Sequence, residues 1–173
     1  MIFEKDFTFC PKCGNKFVKH EENLLVCAVC NLHYYVNPKS CNAVLLENEN
    51  GEVLFVKRKQ DPQKGYWDLP GGFVDLNETL EASVVREMQE ELKIELTDFH
   101  YIGSMSDRYE FKGIRYHTVC ALFLGKIEKG TKISPSDDAE DCAFFPLDAI
   151  PFEDLAFEGI KQALKQYIEA IKK

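Results

Sequence analysis

The stretch Gly71–Ile94, GGFVDLNETLEASVVREMQEELKI, decides the fold. A Gly-Gly turn leads into a segment of helical periodicity, and Thr79 is a competent N-cap because its hydroxyl can accept from a first-turn N–H. The spacing predicts a helix from near Thr79 to near Leu92. At about 100° per residue, Val84, Val85, Met88 and Leu92 fall on one apolar stripe. Glu87, Glu90 and Glu91 share an adjoining arc, since i, i+3 and i+4 positions are neighbours on a helix. Carboxylates crowded in this way repel one another, by about 0.2–0.5 kcal/mol per pair even at an exposed surface. A hard divalent cation turns that repulsion into a binding site, and Mg²⁺ favours oxygen ligands of this kind.

The wider spacing is more specific than the three glutamates. Five residues separate Gly72 from Glu78 and seven separate Glu78 from Arg86; Glu87, Met88, Glu90 and Glu91 then follow in fixed order. This resembles the box of the Nudix hydrolase family, G-x5-E-x7-R-E-U-x-E-E-x-G-U, with U an apolar residue. One position departs: Lys93 stands where the family has its second glycine, while Ile94 keeps the closing apolar residue. That glycine ends the helix where a positive φ is wanted, so Lys93 is expected to alter the helix end without removing a metal ligand.

The resemblance implies an α+β fold, specifically the Nudix αβα sandwich with a mixed β-sheet, running from about Ser40 to the C-terminus. It implies a divalent-metal-dependent pyrophosphohydrolase. Mg²⁺ or Mn²⁺ would be held by Glu87, Glu90, Glu91 and the backbone carbonyl of Gly71. Glu91 or an acidic loop would serve as base, and Arg86 would fork to Glu78 and a neighbouring box carboxylate. Nudix enzymes also draw a further carboxylate from a loop that matches Ser134–Asp141 (SPSDDAED). Of Asp137, Asp138, Glu140 and Asp141, the residue chosen for that role is Glu140, against a reading in which all four are solvated loop charges.

The rest of the chain bounds this reading. Its 173 residues are 45% apolar and 29% charged, enough for one globular domain and a small attachment. No apolar run approaches the ~20 residues of a membrane span, and MIFEKDFTF lacks the basic start and apolar run of a signal peptide, so a cytoplasmic protein with no membrane partner is expected. The net charge of −8 argues against a polyanionic partner but not against a small anion bound beside a cation.

Seven cysteines without a secretion signal point to thiols or metal. Cys10-Pro-Lys-Cys13 and Cys27-Ala-Val-Cys30 form two knuckles able to complete a closed tetrahedral Cys₄ set for structural Zn²⁺. Gly14 and Asn31, which follow each knuckle, tolerate the left-handed turn needed there. Through Pro38 the ribbon is neutral, Lys5, Lys12, Lys16 and Lys19 balancing Glu4, Asp6, Glu21 and Glu22, which speaks against nucleic acid. Cys41, Cys120 and Cys142 read as small core residues in strands.

Asn37-Pro38 marks the boundary between a zinc ribbon, residues 1–38, and a Nudix domain, residues 39–173. Ala43–Leu46 and Val53–Val56 read as strands joined by a polar turn containing Asn50-Gly51. In Lys57-Arg58-Lys59, a phosphate-facing Arg58 competes with a solvated strand end. Trp67 is expected to pack behind the box. Phe99–Met105 and Ile114–Leu124 read as strands, with Ser106–Gly113 as a polar and aromatic connection. There Arg108 could reach a phosphate and Tyr109 or Phe111 could stack on a base, against an ordinary hairpin. Phe157–Lys172 reads as an amphipathic helix, its apolar residues Phe157, Ile160, Leu164, Tyr167, Ile168 and Ile171 covering the sheet face opposite the box helix, with Lys172 and Lys173 at the negative end of its dipole. His20, His33, His100 and His117 have no ligand spacing, and His117 alone is placed to face the cleft.

The ribbon-plus-box layout resembles the NADH pyrophosphatase branch, but that branch's S-Q-P-W-P-F-P-x-S signature is absent from YIGSMSDRYEFKG. Tyr109 stands where many ADP-ribose hydrolases have proline, a position at which it resembles the dinucleoside polyphosphate hydrolases. The expected activity is hydrolysis of the diphosphate bond in a nucleoside diphosphate joined to another moiety, ADP-ribose- or dinucleotide-like. An NAD(H) pyrophosphatase is the nearer alternative. A non-catalytic nucleotide sensor or protein-docking module is the alternative of another class, and a homodimer is compatible with either.

Overall fold

A computed structural model describes residues 7–19, 21–136 and 138–172. Glu4, Lys5, Asp6, His20, Asp137 and Lys173, named above, lie outside the described residues. The chain forms two compact units: Met1–Lys39 with Arg108–His117, and Ser40–Asp107 with Thr118–Lys173.

In the first unit, β1 (Phe17–Lys19), β2 (Leu24–Cys27) and β3 (His33–Tyr35) form an antiparallel sheet in chain order. Each knuckle closes on a left-handed residue: Gly14 at φ 72° donates its N–H to the Cys10 carbonyl, and Asn31 at φ 53° donates to that of Cys27. The Phe17 and Tyr34 rings stack at 5.9 Å, giving the ribbon a small aromatic core.

The second unit is built on a six-stranded sheet. The strands of that sheet are β4 (Lys39–Glu47), β5 (Val53–Arg58), β6 (Trp67–Asp68), β7 (Phe99–Phe111), β8 (Ile114–Lys126) and β9 (Ala139–Phe145), with Lys39, the end of β7 from Arg108 and the start of β8 to His117 counting with the first unit. The order is β6-β5-β4-β8-β7, with β9 also paired to β5. The run Ala43–Leu46 is apolar without a break because both faces of the sheet are covered. Ala43, Leu45, Val53 and Phe55 pack on one side with Ile160 and Leu164 of α2 (Glu158–Ile171). Val44, Leu46, Leu54 and Val56 pack on the other with Val84, Met88 and Leu92 of α1 (Leu80–Leu92). The result is the expected α+β layering, helix on each face of the sheet. Among the described residues, no helix is long and apolar enough to cross a membrane.

Several local expectations change. Val85 is 38% exposed and leaves the apolar stripe: the face α1 buries carries Val84, Met88 and Leu92 together with Ser83 and Glu91. Ser106–Phe111 is not a loop but the continuation of β7, and the chain reverses at Lys112-Gly113, both at positive φ, as a tight hairpin turn requires. β9 begins at Ala139, so Glu140 and Asp141 sit on a strand. Trp67 packs at 5.3 Å against Phe145, in the layer of α2 and not in that of the box helix.

Lys93 ends α1 in the glycine's place. It adopts φ 59° and ψ 33°, and its N–H bonds the Met88 carbonyl. Its side chain turns back so that Nζ donates to the Glu90 carbonyl at 3.0 Å. That bond joins the one the Ser136 hydroxyl makes to the same last-turn carbonyl, and places a cation at the negative end of the helix, offsetting strain that glycine would avoid.

Candidate active site

The centre of the site is the turn Pro70-Gly71-Gly72, strapped to β4 by backbone hydrogen bonds. Asn42 N–H donates to the Gly72 carbonyl, Val44 N–H to that of Pro70, and Val74 N–H to that of Ser40. Gly71 has φ +139°, and a Cβ there would strike the Asn42 backbone carbonyl. Two separate reasons therefore require glycine: the backbone conformation and the close approach to β4. At Gly72 the space a side chain would occupy is filled by the Glu87 carboxylate, whose Oε1 would lie 2.5 Å from an added Cβ. The Gly71 N–H donates to Glu91 Oε2 at 3.0 Å. Two box carboxylates thus meet consecutive residues of one turn.

Arg86 organises the remaining carboxylates. Its Nε and Nη2 fork onto the two oxygens of Glu78 at 2.9 Å each. Its Nη1 donates to Glu87 Oε1 at 2.8 Å and Glu90 Oε2 at 2.9 Å, and its Nη2 to the Phe73 carbonyl. Only a planar guanidinium can satisfy acceptors in that pattern. The helix presents these groups in register because Thr79 caps it, its side chain accepting from Ala82 N–H. Ser134 and Ser136 close the other end by donating their N–H groups to the Leu92 and Glu91 carbonyls. No motif pointed to those serines.

The environments separate the carboxyls. Bonding to Arg86, and then to the Asp75 N–H, lowers the Glu78 pKa to about 2. Burial pushes Glu91 up to about 8 against the Gly71 hydrogen bond that lowers it, with the charges of Glu87, Asp68 and Asp138 adding to the rise. Burial likewise raises Glu87. Glu90, with a side chain 46% exposed, lies at the solvent edge. This is an all-oxygen donor set with more carboxylates than Arg86 can neutralise, and its chemistry fits a hard divalent cation.

Among the described residues, the cysteines Cys10, Cys13, Cys27 and Cys30 form a convergent metal-ligating group, with sulfurs all within 4.8 Å of one another. They could hold one metal ion. Backbone and side-chain hydrogen bonds from Asn15 lower the Cys13 pKa to about 6, and a backbone bond from Cys30 lowers Cys27. Cys30, despite a lowering backbone bond with Leu32, is pushed up to about 12 by burial and the neighbouring sulfurs. Four thiolates so close would require a compensating cation, and thiolate sulfur suits Zn²⁺.

The other residues chosen from the sequence lie on strands β5, β7, β8 and β9. Arg58 bonds Asp68 at 3.1 Å and the Pro62 carbonyl, and lies 4.9 Å over the Phe157 ring, so its guanidinium is engaged within the fold. Arg108, Tyr109, Phe111 and His117 belong to the ribbon unit, where the Tyr109 and Phe111 rings lie 6.4 Å apart. Glu140 is exposed and sits where the β5–β9 register slips, between the partners Arg58–Ala139 and Lys57–Asp141. Such a bulge re-aims one side chain. Asp138, in the same segment, adds its charge to the rise of Glu91, and its carboxylate accepts from Gln60 at 2.7 Å.

A helix carrying this carboxylate set over a Gly-Gly turn is matched by the NUDIX domain profile across residues 37–167. The chain belongs to the Nudix family. Among its Nudix relatives is the ADP-ribose pyrophosphatase of Methanocaldococcus jannaschii, 34% identical over 136 residues, covering 78% of this chain and 75% of the relative. The NAD-capped RNA hydrolase NudC of Pseudomonas aeruginosa is 28% identical over 151 residues, 87% of this chain. The chain spans about half (51%) of that relative's length. A solved NUDIX hydrolase from Nitrosomonas europaea superposes with TM-score 0.70 at 30% identity, covering 94% of this chain and 90% of that one. The Nudix fold is thereby established for the domain.

Proposed function

We propose that the protein hydrolyses the diphosphate bond of a nucleoside diphosphate joined to a second moiety, of the ADP-ribose or dinucleotide kind. The carrying observation is the Gly71-Gly72 turn faced by Glu87 and Glu91, with Arg86 holding Glu78, Glu87 and Glu90. The relatives named an ADP-ribose pyrophosphatase and an NAD-capped RNA hydrolase support the substrate class.

Glu87, Glu90, Glu91 and the Gly71 carbonyl would hold Mg²⁺ or Mn²⁺, which when bound screens the substrate's diphosphate and lowers the pKa of a water. Glu91 takes the proton of the water that attacks phosphorus, from a buried position fixed by the Gly71 N–H. Arg86 keeps Glu87 and Glu90 oriented, and Glu78 anchors Arg86. Glu140, on its bulge, is a second carboxylate available as base. The Cys₄ set would hold Zn²⁺ with no open position, a structural role for the ribbon.

The test is release of products from a panel containing ADP-ribose, NADH, NAD⁺, FAD, dinucleoside polyphosphates, nucleotide sugars and nucleoside triphosphates, with Mg²⁺ or Mn²⁺ present. One preferred compound yielding a nucleoside monophosphate is the expected result. Saturable binding without turnover would replace the enzyme by a nucleotide sensor.

A further inference from the structure

Asn42 stands in β4 directly before the apolar run Ala43–Leu46, and at 3% exposure it is among the most buried polar residues described. Three of its groups face the site. Its N–H donates to the Gly72 carbonyl at 2.9 Å, and its backbone carbonyl fills the space beside Gly71. Its Nδ2 donates to Ser83 Oγ at 2.6 Å, and that hydroxyl in turn accepts from Arg86 Nη2 at 3.4 Å. Ser83 is fully buried in α1. One residue therefore joins strand, turn and helix, its backbone bonding the turn of Gly71 and Gly72 and its side chain reaching the helix that carries Arg86.

The same residue carries a cost. Its Oδ1 is the one buried side-chain oxygen or nitrogen without a hydrogen-bond partner among the described residues, and it lies 2.9 Å from where a Gly71 Cβ would be. A buried acceptor left unmet lowers stability, whereas an apolar residue of the same size would not. Packing alone does not account for an asparagine here.

We propose that Asn42 is a positioning residue, acting through Ser83 and the Gly71-Gly72 turn to hold Arg86, Glu87 and Glu91 in the arrangement that takes the cation and the diphosphate. This rests on the hydrolase reading above. Groups that orient metal ligands from behind are worth about 10- to 100-fold in metal affinity or activity.

The experiment compares the full chain with Asn42→Leu, Asn42→Ala, Ser83→Ala and the Asn42→Ala/Ser83→Ala pair. Three quantities are read: thermal midpoint, calorimetric affinity for Mn²⁺ alone, and kcat and KM on the best substrate of the panel. The expected result is an Asn42→Leu protein at least as heat-stable as the parent, with Mn²⁺ affinity and kcat each reduced about tenfold or more and KM little changed. The double variant should be no worse than the more damaged single one, because both cut the same link. Parental Mn²⁺ affinity and kcat in Asn42→Leu would overturn the proposal. So would losses of function that track a fall in thermal midpoint in both Asn42 variants, since the role would then be structural. Should the parent turn over no compound at all, the hydrolase reading fails, and the Mn²⁺ arm alone decides whether Asn42 sets the carboxylate arrangement.

Discussion

Gly72→Ala isolates the contact between the turn and the box helix. Gly72 is not among the residues at positive φ, so alanine meets no backbone penalty there, unlike at Gly71. The added Cβ would lie 2.5 Å from Glu87 Oε1 and 2.7 Å from its Cδ. Ordinary van der Waals contact begins near 3.4 Å, so the carboxylate must retreat by about 0.9 Å. It cannot do so freely, because Arg86 Nη1 holds the same oxygen at 2.8 Å. Overpacking of this kind costs about 1–3 kcal/mol, partly offset by the about 0.4–1 kcal/mol that Gly→Ala contributes through the unfolded chain. The fold therefore loses about 1–2 kcal/mol and survives. Catalysis is more sensitive: a misplacement of about 1 Å costs about 10²-fold, or about 2.7 kcal/mol of barrier. Denaturant unfolding and steady-state kinetics on the preferred diphosphate measure both. A Gly72→Ala enzyme with kcat within about threefold of the parent would refute the claim that Glu87 must sit against the turn.

Glu91→Gln removes the proposed base while keeping size and the acceptor for Gly71 N–H, so turnover should fall about 10²–10⁴-fold with the thermal midpoint unchanged or raised. Near-normal turnover would reassign the base, with Glu140 and Asp138 next to be tested. Cys13→Ser should lower both zinc content by elemental analysis and stability, any activity loss following from unfolding; a stable, zinc-free, active protein would contradict the structural role. Asp68, buried beside Arg58, titrates near 6, raised by burial against the pull of that arginine. The native state thus binds this proton more tightly than the unfolded chain does. Its contribution is fully present below about pH 4 and is lost as pH rises through about 6, a span worth about 3 kcal/mol. Urea unfolding between pH 4.5 and 6.5 should show that decline in the parent and a flatter profile in Asp68→Asn; identical slopes would mean that Asp68 does not carry it.

What was legible in the sequence depended on whether the cause was local. The helix from Thr79 to Leu92 could be placed to the residue because an N-cap, a 3.6-residue stripe and the carboxylate arc all lie within it. The cysteine knuckles were legible for the same reason, two short loops each closed by a residue that tolerates positive φ. Lys93 shows the limit of such reading: the motif marked it as a defect, and only the fold reveals that its own side chain caps the carbonyl of Glu90. Where the cause was tertiary, the sequence was silent or misleading. Ser106–Gly113 read as a polar connection or an ordinary hairpin, and the hairpin holds: Ser106–Phe111 alternate along β7, and the tip Arg108–His117 is part of the ribbon unit. Arg58 looked available for phosphate until Asp68, ten residues away, met it in a partly buried pair. Asn42 carried one faint signal, a lone amide directly before the apolar run Ala43–Leu46. Its meaning lies in partners 30 and 41 positions away, Gly72 and Ser83, which no periodicity connects to it. The carboxylates of the box can be read from one helix, but the arrangement that holds them against the turn is a property of strand, turn and helix together.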